Sequence, residues 1–249
     1  MQAQFVANLY STISRQRLAP YNKSPDAHSQ LDVLALYMYN AALSEALYPA
    51  LQNLEVGLRN RMSTALASEL GSERWMIDHI DKFRNNDDDG GEQKVIKSVC
   101  LKLAKEKKPM QAGTIIAALH FGFWHALTHP DYEKAGILWP GSIEYIFPSM
   151  PSKIRTRKFV RDRLDMLRVL RNRVFHHEPI WNLNVDGVDL DAHHKKLLDA
   201  IGWIDPELWR FTVIADRYKG VVAAGYQAHY DKIKDFLDKA ALAAKAQSK

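Results

Sequence analysis

The sequence predicts an all-α fold. Apolar residues recur at helical spacing in segments of helical length. Runs of alternating Val, Ile and Thr between turn dipeptides, which are typical of β-strands, are missing. No fixed-period repeat, low-complexity tract or long linker divides the 249 residues. We therefore expect one helical domain over residues 1–249.

The first predicted helical region runs from about Leu31 to Leu70. It contains Pro49, and a proline inside a helix removes a hydrogen bond and clashes with the preceding turn. The region is therefore either two successive helices or one helix kinked at Pro49. Gly71 is the expected C-cap, because glycine adopts a left-handed backbone without steric cost. Asn85–Gly91 (NNDDDGG) is predicted to be a turn-rich loop.

Three more helices are predicted in the middle of the chain. They span about Glu92–Lys107, Gln111–Leu127 and Ser152–His177. Prolines and glycines interrupt Thr128–Met150, which we expect to be irregular. The third helix must stop near Glu178, because a proline disfavours helical geometry in the residue before it.

Two helices are predicted near the C-terminus. Asp205 and Pro206 fit the N-cap and first position of one of them. The alanine-rich segment Tyr226–Ala246 is expected to form the other.

Composition is that of an ordinary globular protein, with 47% apolar and 25% charged residues. The single cysteine, Cys100, excludes an intrachain disulfide framework and a cysteine-rich zinc site. The first seventeen residues lack the apolar run of a secretory signal. Pro109–Pro130 lacks charged residues, but polar side chains interrupt it, so we predict a buried helix there. We expect a cytoplasmic protein without a membrane partner.

Positive charge is concentrated between Lys153 and Arg173. This stretch holds nine lysines or arginines against two aspartates, whereas the whole chain has a net charge of +5. Such a stretch suits phosphate groups, with Arg168 and Arg173 as candidate substrate contacts. From charge alone, a solvated helix face explains the pattern equally well.

Arg171 is predicted to lie on the buried face of its helix. On a helical wheel it falls roughly 20° from Val160, inside the apolar arc, where a charge requires a carboxylate or phosphate partner. Glu55 sits in a similar apolar stripe, between Leu51 and Leu58. We expect Glu55 to hold the guanidinium of Arg171 in a fixed pose through a bidentate contact. A buried ion pair that only fixes helix register is the alternative.

The same helix ends in two histidines, His176 and His177. A helix C-terminus favours the imidazolium form, and histidine exchanges protons near neutral pH. Asn172 and His176 share a helix face, whereas Arg171 and His176 are about 140° apart on an ideal helix. Either fraying of the helix and the length of the arginine close that gap, or two subunits combine their residues. A capping or surface role of the histidines is the alternative.

Two histidine doublets raise the question of a metal site. Neither doublet is an i, i+4 pair on one helix face, and no cysteine is near. We therefore expect no metal and no cofactor. The doublets are His176-His177 and His193-His194.

The run from Arg171 to Trp181 reads RNRVFHHEPIW. It resembles the signature of the Abi-like (abortive infection) proteins of the HEPN superfamily, in which an arginine and usually a polar residue precede a histidine by four to six intervening positions. His176 matches the spacing of four and His177 that of five. The resemblance covers about residues 15–205, which leaves 206–249 as a C-terminal helical extension. Further landmarks are LQNLEVGLRN (Leu51–Asn60), FGFW (Phe121–Trp124) and Leu43-Ser44 after Asn40.

The resemblance implies a HEPN-type helical bundle whose two motif helices pair in a homodimer around a basic cleft. In many members it implies a metal-independent ribonuclease. Such a reaction needs a base for the ribose 2′-hydroxyl, an acid for the departing oxygen and positive charge at the phosphate. His176 is the candidate for proton transfer and Arg171 for charge stabilisation. Asn172 would orient the histidine or a phosphate oxygen, and His177 would be a reserve proton carrier or a structural neighbour.

The function expected from this resemblance is an RNA endonuclease in bacterial phage defence or toxin–antitoxin growth arrest. Its candidate partners are RNA, a second copy of the chain and an antitoxin protein. The alternative is a catalytically inactive HEPN module that binds RNA or a protein through the basic stretch.

Overall fold

The computed structural model describes residues 2–85, 91–185 and 187–247, and it confirms the all-α prediction. Most of the loop predicted at Asn85–Gly91 lies outside the described residues. The chain divides into two compact units, each built from segments distant in sequence. Unit 1 comprises Met1–Pro49, Asn172–His194 and Ala215–Lys249, and unit 2 comprises Ala50–Arg171 and Lys195–Ile214. The assignment of residues 1–249 to a single domain stays a prediction.

Helices dominate both units. In chain order they are α1 (Gln2–Thr12), α2 (Arg15–Leu18), α3 (Gln30–Leu70), α4 (Trp75–Asp78), α5 (Gly91–Lys105), α6 (Ala112–Ala118), α7 (Phe121–Ala126), α8 (Pro130–Lys134), α9 (Ile143–Ile146), α10 (Arg157–Phe175), α11 (Leu190–Ile204), α12 (Pro206–Ala215), α13 (Tyr218–Ala224) and α14 (Gln227–Gln247). Short 3-10 turns lie at Tyr21–Lys23, Ile80–Lys82 and Ser152–Ile154. A small antiparallel hairpin pairs β1 (Asn184–Val185) with β2 (Val188–Asp189). Within the described ranges, no helix combines the length and apolarity needed to cross a bilayer.

The region around Pro49 is one helix, which decides between the two predicted alternatives. α3 continues through Pro49 and ends at Leu70. Gly71 follows with φ +65°, and the N–H of Ser72 donates to the carbonyl of Ala67 at 3.1 Å. The predicted glycine C-cap is therefore confirmed.

The prediction of one helix over Gln111–Leu127 was wrong, because the chain breaks between α6 and α7. Leu119 is extended (ψ 121°), and its carbonyl accepts a hydrogen bond from Nε1 of the buried Trp124 at 3.3 Å. A side-chain hydrogen bond from five residues along the chain thus satisfies the Leu119 carbonyl at this break. The prediction that Thr128–Met150 is irregular was also incomplete, since α8 and α9 lie within it.

The helix that carries the motif, α10, begins five residues later than predicted. The Thr156 hydroxyl accepts a hydrogen bond from the N–H of Phe159 at 3.2 Å, and the Thr156 carbonyl accepts from Val160 at 3.0 Å. Thr156 therefore acts as the N-cap, and the 3-10 turn at Ser152–Ile154 stands apart from the helix. The hairpin, α1 and α11 were not predicted.

The core of unit 2 confirms the helical-wheel analysis of α10. Val160, Leu164, Leu167 and Leu170 are each at most 2% exposed. The facing stripe of α3, which includes Leu54 and Leu58, is buried as well. Both predicted apolar faces are thus the faces that pack.

Unit 1 has its own apolar core, formed by both ends of the chain and the first half of α3. The N-terminal segment contributes Val6, Leu18 and Tyr21, and α14 contributes Ile233 and Leu237, all of which are buried. Tyr21 also stacks on Trp181, with ring centroids 6.5 Å apart. This contact joins the core of unit 1 to the segment that follows the motif histidines.

Candidate active site

Arg171 and Glu55 form an ion pair within unit 2, whereas the bidentate geometry expected for this pair stays a prediction. Arg171 Nη2 lies 3.5 Å from Glu55 Oε2, and the two side chains are 25% and 20% exposed. α10 supplies the arginine and α3 the glutamate, each from the margin of a buried apolar stripe. The carboxylate fixes the guanidinium in a partly desolvated environment, where a charge pair is stronger than at the open surface. A residue of this kind can present positive charge to a phosphate.

His120 is a third ionisable residue that interacts electrostatically with this pair, and it was not among the predicted site residues. It is the N-cap residue of α7, and its side chain reaches solvent. Partial burial of the ring and the positive charge of Arg171 lower the pKa of His120, whereas the negative charge of Glu55 raises it. Since both members of the ion pair act on this pKa, the imidazole stands within their electrostatic reach. Lowering the pKa favours the neutral ring, which can accept a proton.

The side chain of His120 leaves little room for a side chain at position 122. A Cβ at position 122 would lie 3.0 Å from Cε1 and Nδ1 of His120, which is closer than ordinary contact. Gly122 therefore allows the imidazole to fold against the start of α7. The FGFW landmark that follows His120 directly is the sequence signal that could have identified this residue.

The end of α10 places His176 and His177 in unit 1. His177 has φ +57°, its N–H donates to Val174 at 3.1 Å, and the N–H of Glu178 donates to Arg173 at 2.8 Å. These two hydrogen bonds form the Schellman motif that closes a helix, with His177 in the left-handed position usually taken by glycine. A non-glycine residue there costs roughly 1–2 kcal/mol. The backbone of His177 thus ends the helix, while the exposed side chain of His176 lies just beyond it.

Two side chains of unit 1 hold the segment that carries these histidines. Arg17 Nη2 donates to the carbonyl of His176 at 3.0 Å and also to the carbonyl of His177. The buried Asn40 donates from Nδ2 to the carbonyl of Glu178 at 3.2 Å. Its Oδ1 accepts from the N–H of Ile180 at 2.6 Å and from the N–H of Trp181 at 3.2 Å. Neither role was predicted, although Asn40 belongs to a family landmark.

The other predicted arginines make local contacts. Arg168 donates from Nε and Nη2 to Asp165 Oδ1 at 3.1 and 2.9 Å, on the exposed face of α10. Arg173 Nη1 donates to the carbonyl of Pro179 at 3.4 Å. Asn172 is half-buried, and its carbonyl accepts the N–H of His176 at 2.8 Å. The roles of these residues in substrate binding or catalysis stay predictions.

The family model described as Abi-like protein matches residues 5–182. This range includes all of α1 except its first three residues, α2 to α10 and the complete RNRVFHHEPIW run. The chain belongs to the Abi-like family. Its membership points to abortive infection, that is, to defence against phage. No curated protein and no solved structure matches the chain.

The histidine doublet at His193-His194 of this Abi-like protein serves the structure of unit 1. His193 Nδ1 lies 2.7 Å from the carbonyl of Asp189, and His194 Nε2 lies 2.9 Å from Asp216 Oδ2. Tyr218 stacks on His194 with ring centroids 4.2 Å apart. Among the residues that the structure describes, no three His, Cys, Asp or Glu residues form a group that could hold a metal ion.

Proposed function

We propose that this Abi-like protein is a metal-independent RNA endonuclease of the HEPN type, acting in phage defence or toxin–antitoxin growth arrest. Family membership supports the defence role. The observation that carries the enzymatic role is the Arg171–Glu55 pair, at 3.5 Å, on the helix that ends at the exposed His176. A positioned guanidinium and an accessible imidazole are the two groups that RNA cleavage without a metal requires.

In the proposed reaction the 2′-hydroxyl of one ribose attacks the adjacent phosphorus. An imidazole takes the hydroxyl proton, the new 2′-oxygen–phosphorus bond forms, and the bond from phosphorus to the 5′-oxygen breaks. A second, protonated imidazole gives its proton to the departing 5′-oxygen, so the products are a 2′,3′-cyclic phosphate and a 5′-hydroxyl. His176 transfers the proton, and Arg171 stabilises the negative charge that develops on the phosphate oxygens.

The supporting residues act through these two. Glu55 positions Arg171, and Asn172 orients His176 or a phosphate oxygen. His177 fixes the end of the helix through its backbone and is a reserve proton carrier. Each chain offers one Arg171 and one His176, so a homodimer would supply the base from one copy and the acid from the other.

Cleavage of RNA by the purified protein in EDTA tests this proposal. We expect the wild type to cleave and His176→Ala to lose at least about a hundredfold in rate, the usual contribution of a general acid or base. His28→Ala is the matched control, because His28 is also an exposed histidine of unit 1. A wild type that binds RNA without cutting it would instead support the inactive RNA-binding module, for which the basic stretch Lys153–Arg173 is sufficient.

The oligomeric state tests the composite site separately. Size-exclusion chromatography with light scattering, at low micromolar concentration, should give the mass of a dimer. An active protein that stays strictly monomeric would overturn the sharing of residues between two copies.

A further inference from the structure

Unit 2 contains a groove of about 450 Å³ along one side of α5. α5 lines it with Lys94, Ser98 and Lys102 and with the apolar Val95 and Val99, and the other side is formed by Ala118 at the end of α6 and His120 at the start of α7. Its polar lining consists of two ammonium groups, one hydroxyl and one imidazole, which are groups that bind phosphate.

The three residues on α5 form a regular exposed row. They are spaced four residues apart, which corresponds to about 6 Å per step along a helix, so that their side chains follow one another on the same face. All three are exposed. Lys102 lies 4.0 Å from Glu106, a weak contact at the surface, and Lys94 has no ion pair among residues 2–85, 91–185 and 187–247. The row can therefore contact successive phosphates of an extended strand.

The charge of the surrounding helix favours an anionic ligand. From Gly91 to Lys108 the chain holds six lysines against two glutamates. One of these glutamates, Glu92, is buried and paired with Arg84 at 2.8 Å. This second basic segment is not evident from the net charge of the chain, because the aspartates that precede it in the sequence offset the charge of its lysines.

Two arginines act on the part of the chain that lines the groove at Ala118 and His120. Arg59 Nη1 donates to the carbonyl of Ala117 at 3.3 Å, beside the lining residue Ala118. Arg171 and Glu55 act electrostatically on His120, which lines the groove. The arginine that the proposed reaction uses therefore acts electrostatically on a residue that lines the groove.

We propose that the groove lined by Lys94, Ser98, Lys102 and His120 binds the phosphate backbone of a single RNA strand and directs that strand to Arg171. The choice of RNA rests on the proposed function, whereas the groove's affinity for a polyanionic strand follows from its own lining. His120 would contact the strand where it leaves the groove.

Binding of an RNA that cannot react tests this inference independently of catalysis. A fluorescent 12-nucleotide strand, 2′-O-methylated throughout, lacks the hydroxyl that would attack, and its affinity is measured by fluorescence anisotropy at several salt concentrations. The test variant is Lys94→Glu with Lys102→Glu. The matched control is Lys97→Glu with Lys105→Glu, because these lysines have the same spacing on the same helix and do not line the groove.

We expect the groove variant to bind the strand about tenfold more weakly or worse, and the control to stay within about threefold of the wild type. Loss of two phosphate contacts should also reduce the slope of log affinity against log salt by about 1.4. Ser98→Asp provides a second variant with the same expectation, and thermal melting verifies that each variant is folded.

The outcomes separate this inference from the proposed function. If both double variants bind the strand equally weakly, or if neither binds it more weakly than the wild type, the proposed binding role of the groove is wrong, whatever the cleavage assay shows. If only the groove variant binds the strand more weakly and the wild type never cleaves RNA, the result would support the binding role of the groove and contradict the proposed nuclease activity. If the wild type binds no strand at any salt concentration, the groove proposal fails too.

Discussion

Asn40 holds the segment after the motif histidines, and the variant Asn40→Ala removes all three of its hydrogen bonds. The side chain is 4% exposed and bridges the carbonyl of Glu178 to the N–H groups of Ile180 and Trp181. The substitution also leaves space where the amide was. The segment that follows His176 would then lose the contacts that fix its path.

The expected loss of stability can be estimated bond by bond. Ile180 is 0% exposed, so its N–H would be left buried without an acceptor, at a cost of about 1–3 kcal/mol. The carbonyl of Glu178 and the N–H of Trp181 are partly buried, and water can replace part of what they lose. We therefore expect Asn40→Ala to lower the free energy of unfolding by about 2–4 kcal/mol.

Urea unfolding and amide hydrogen exchange measure this effect. The control is Asn182→Ala, a change at an exposed asparagine of the same segment, which should stay within about 0.5 kcal/mol of the wild type. In Asn40→Ala the amides of Ile180 and Trp181 should lose most of their protection from exchange. Cleavage activity should fall as well, even under conditions where the variant is folded, because Asn40 no longer holds the segment that follows His176 and only Arg17 still holds the carbonyls of His176 and His177. A variant with unchanged stability, exchange and activity would refute the role we assign to Asn40.

Three further predictions concern unit 2. Arg84→Met should destabilise unit 2 by about 3–5 kcal/mol, because Glu92 would stay buried without the cation that it contacts at 2.8 Å. The pKa of Glu92, which Arg84 now lowers, would then rise. Urea unfolding should therefore show a smaller loss of stability at pH 5, where more of Glu92 is neutral, than at pH 7. Burial lowers the pKa of His125 to about 4. Since the histidine of the unfolded chain takes up its proton near pH 6.5, the free energy of unfolding should fall by up to about 3 kcal/mol between pH 6.5 and pH 4. A folded His125→Phe variant with the same pH dependence as the wild type would count against this. Glu55→Gln should reduce the cleavage rate by about ten- to a hundredfold, because Arg171 loses its fixed pose. The affinity for RNA should stay nearly constant, because Arg171 keeps its charge. A variant that cleaves RNA at the wild-type rate would leave the Arg171–Glu55 pair with a structural role only.

The helical faces and the ion pair could be predicted because they depend on periodicity alone. An apolar stripe at 3.6-residue spacing identifies the buried side of α10, and the charge of Arg171 at its margin demands a partner. Glu55 is the residue of opposite charge that lies in an apolar stripe of another helix, α3. The all-α class followed from the same periodicity.

The rest depends on contacts that helical periodicity does not show. At the break between α6 and α7, the buried Trp124 donates to the carbonyl of Leu119, five residues earlier in the chain. Arg17 and Asn40 act on carbonyl and N–H groups more than a hundred residues away in sequence. His120 has no periodic pattern that distinguishes it from the other histidines of the chain. Family landmarks include Asn40 and directly follow His120, but the contacts of these residues follow from the folded chain.

Analysis of the RNA ends produced in EDTA tests the central claim most directly. Mass spectrometry of a defined oligonucleotide should show fragments that end in a 2′,3′-cyclic phosphate and fragments that begin with a 5′-hydroxyl. These fragments should disappear with His176→Ala and persist with His28→Ala. Fragments that begin with a 5′-phosphate, or the same cyclic products from His176→Ala at the wild-type rate, would contradict the mechanism.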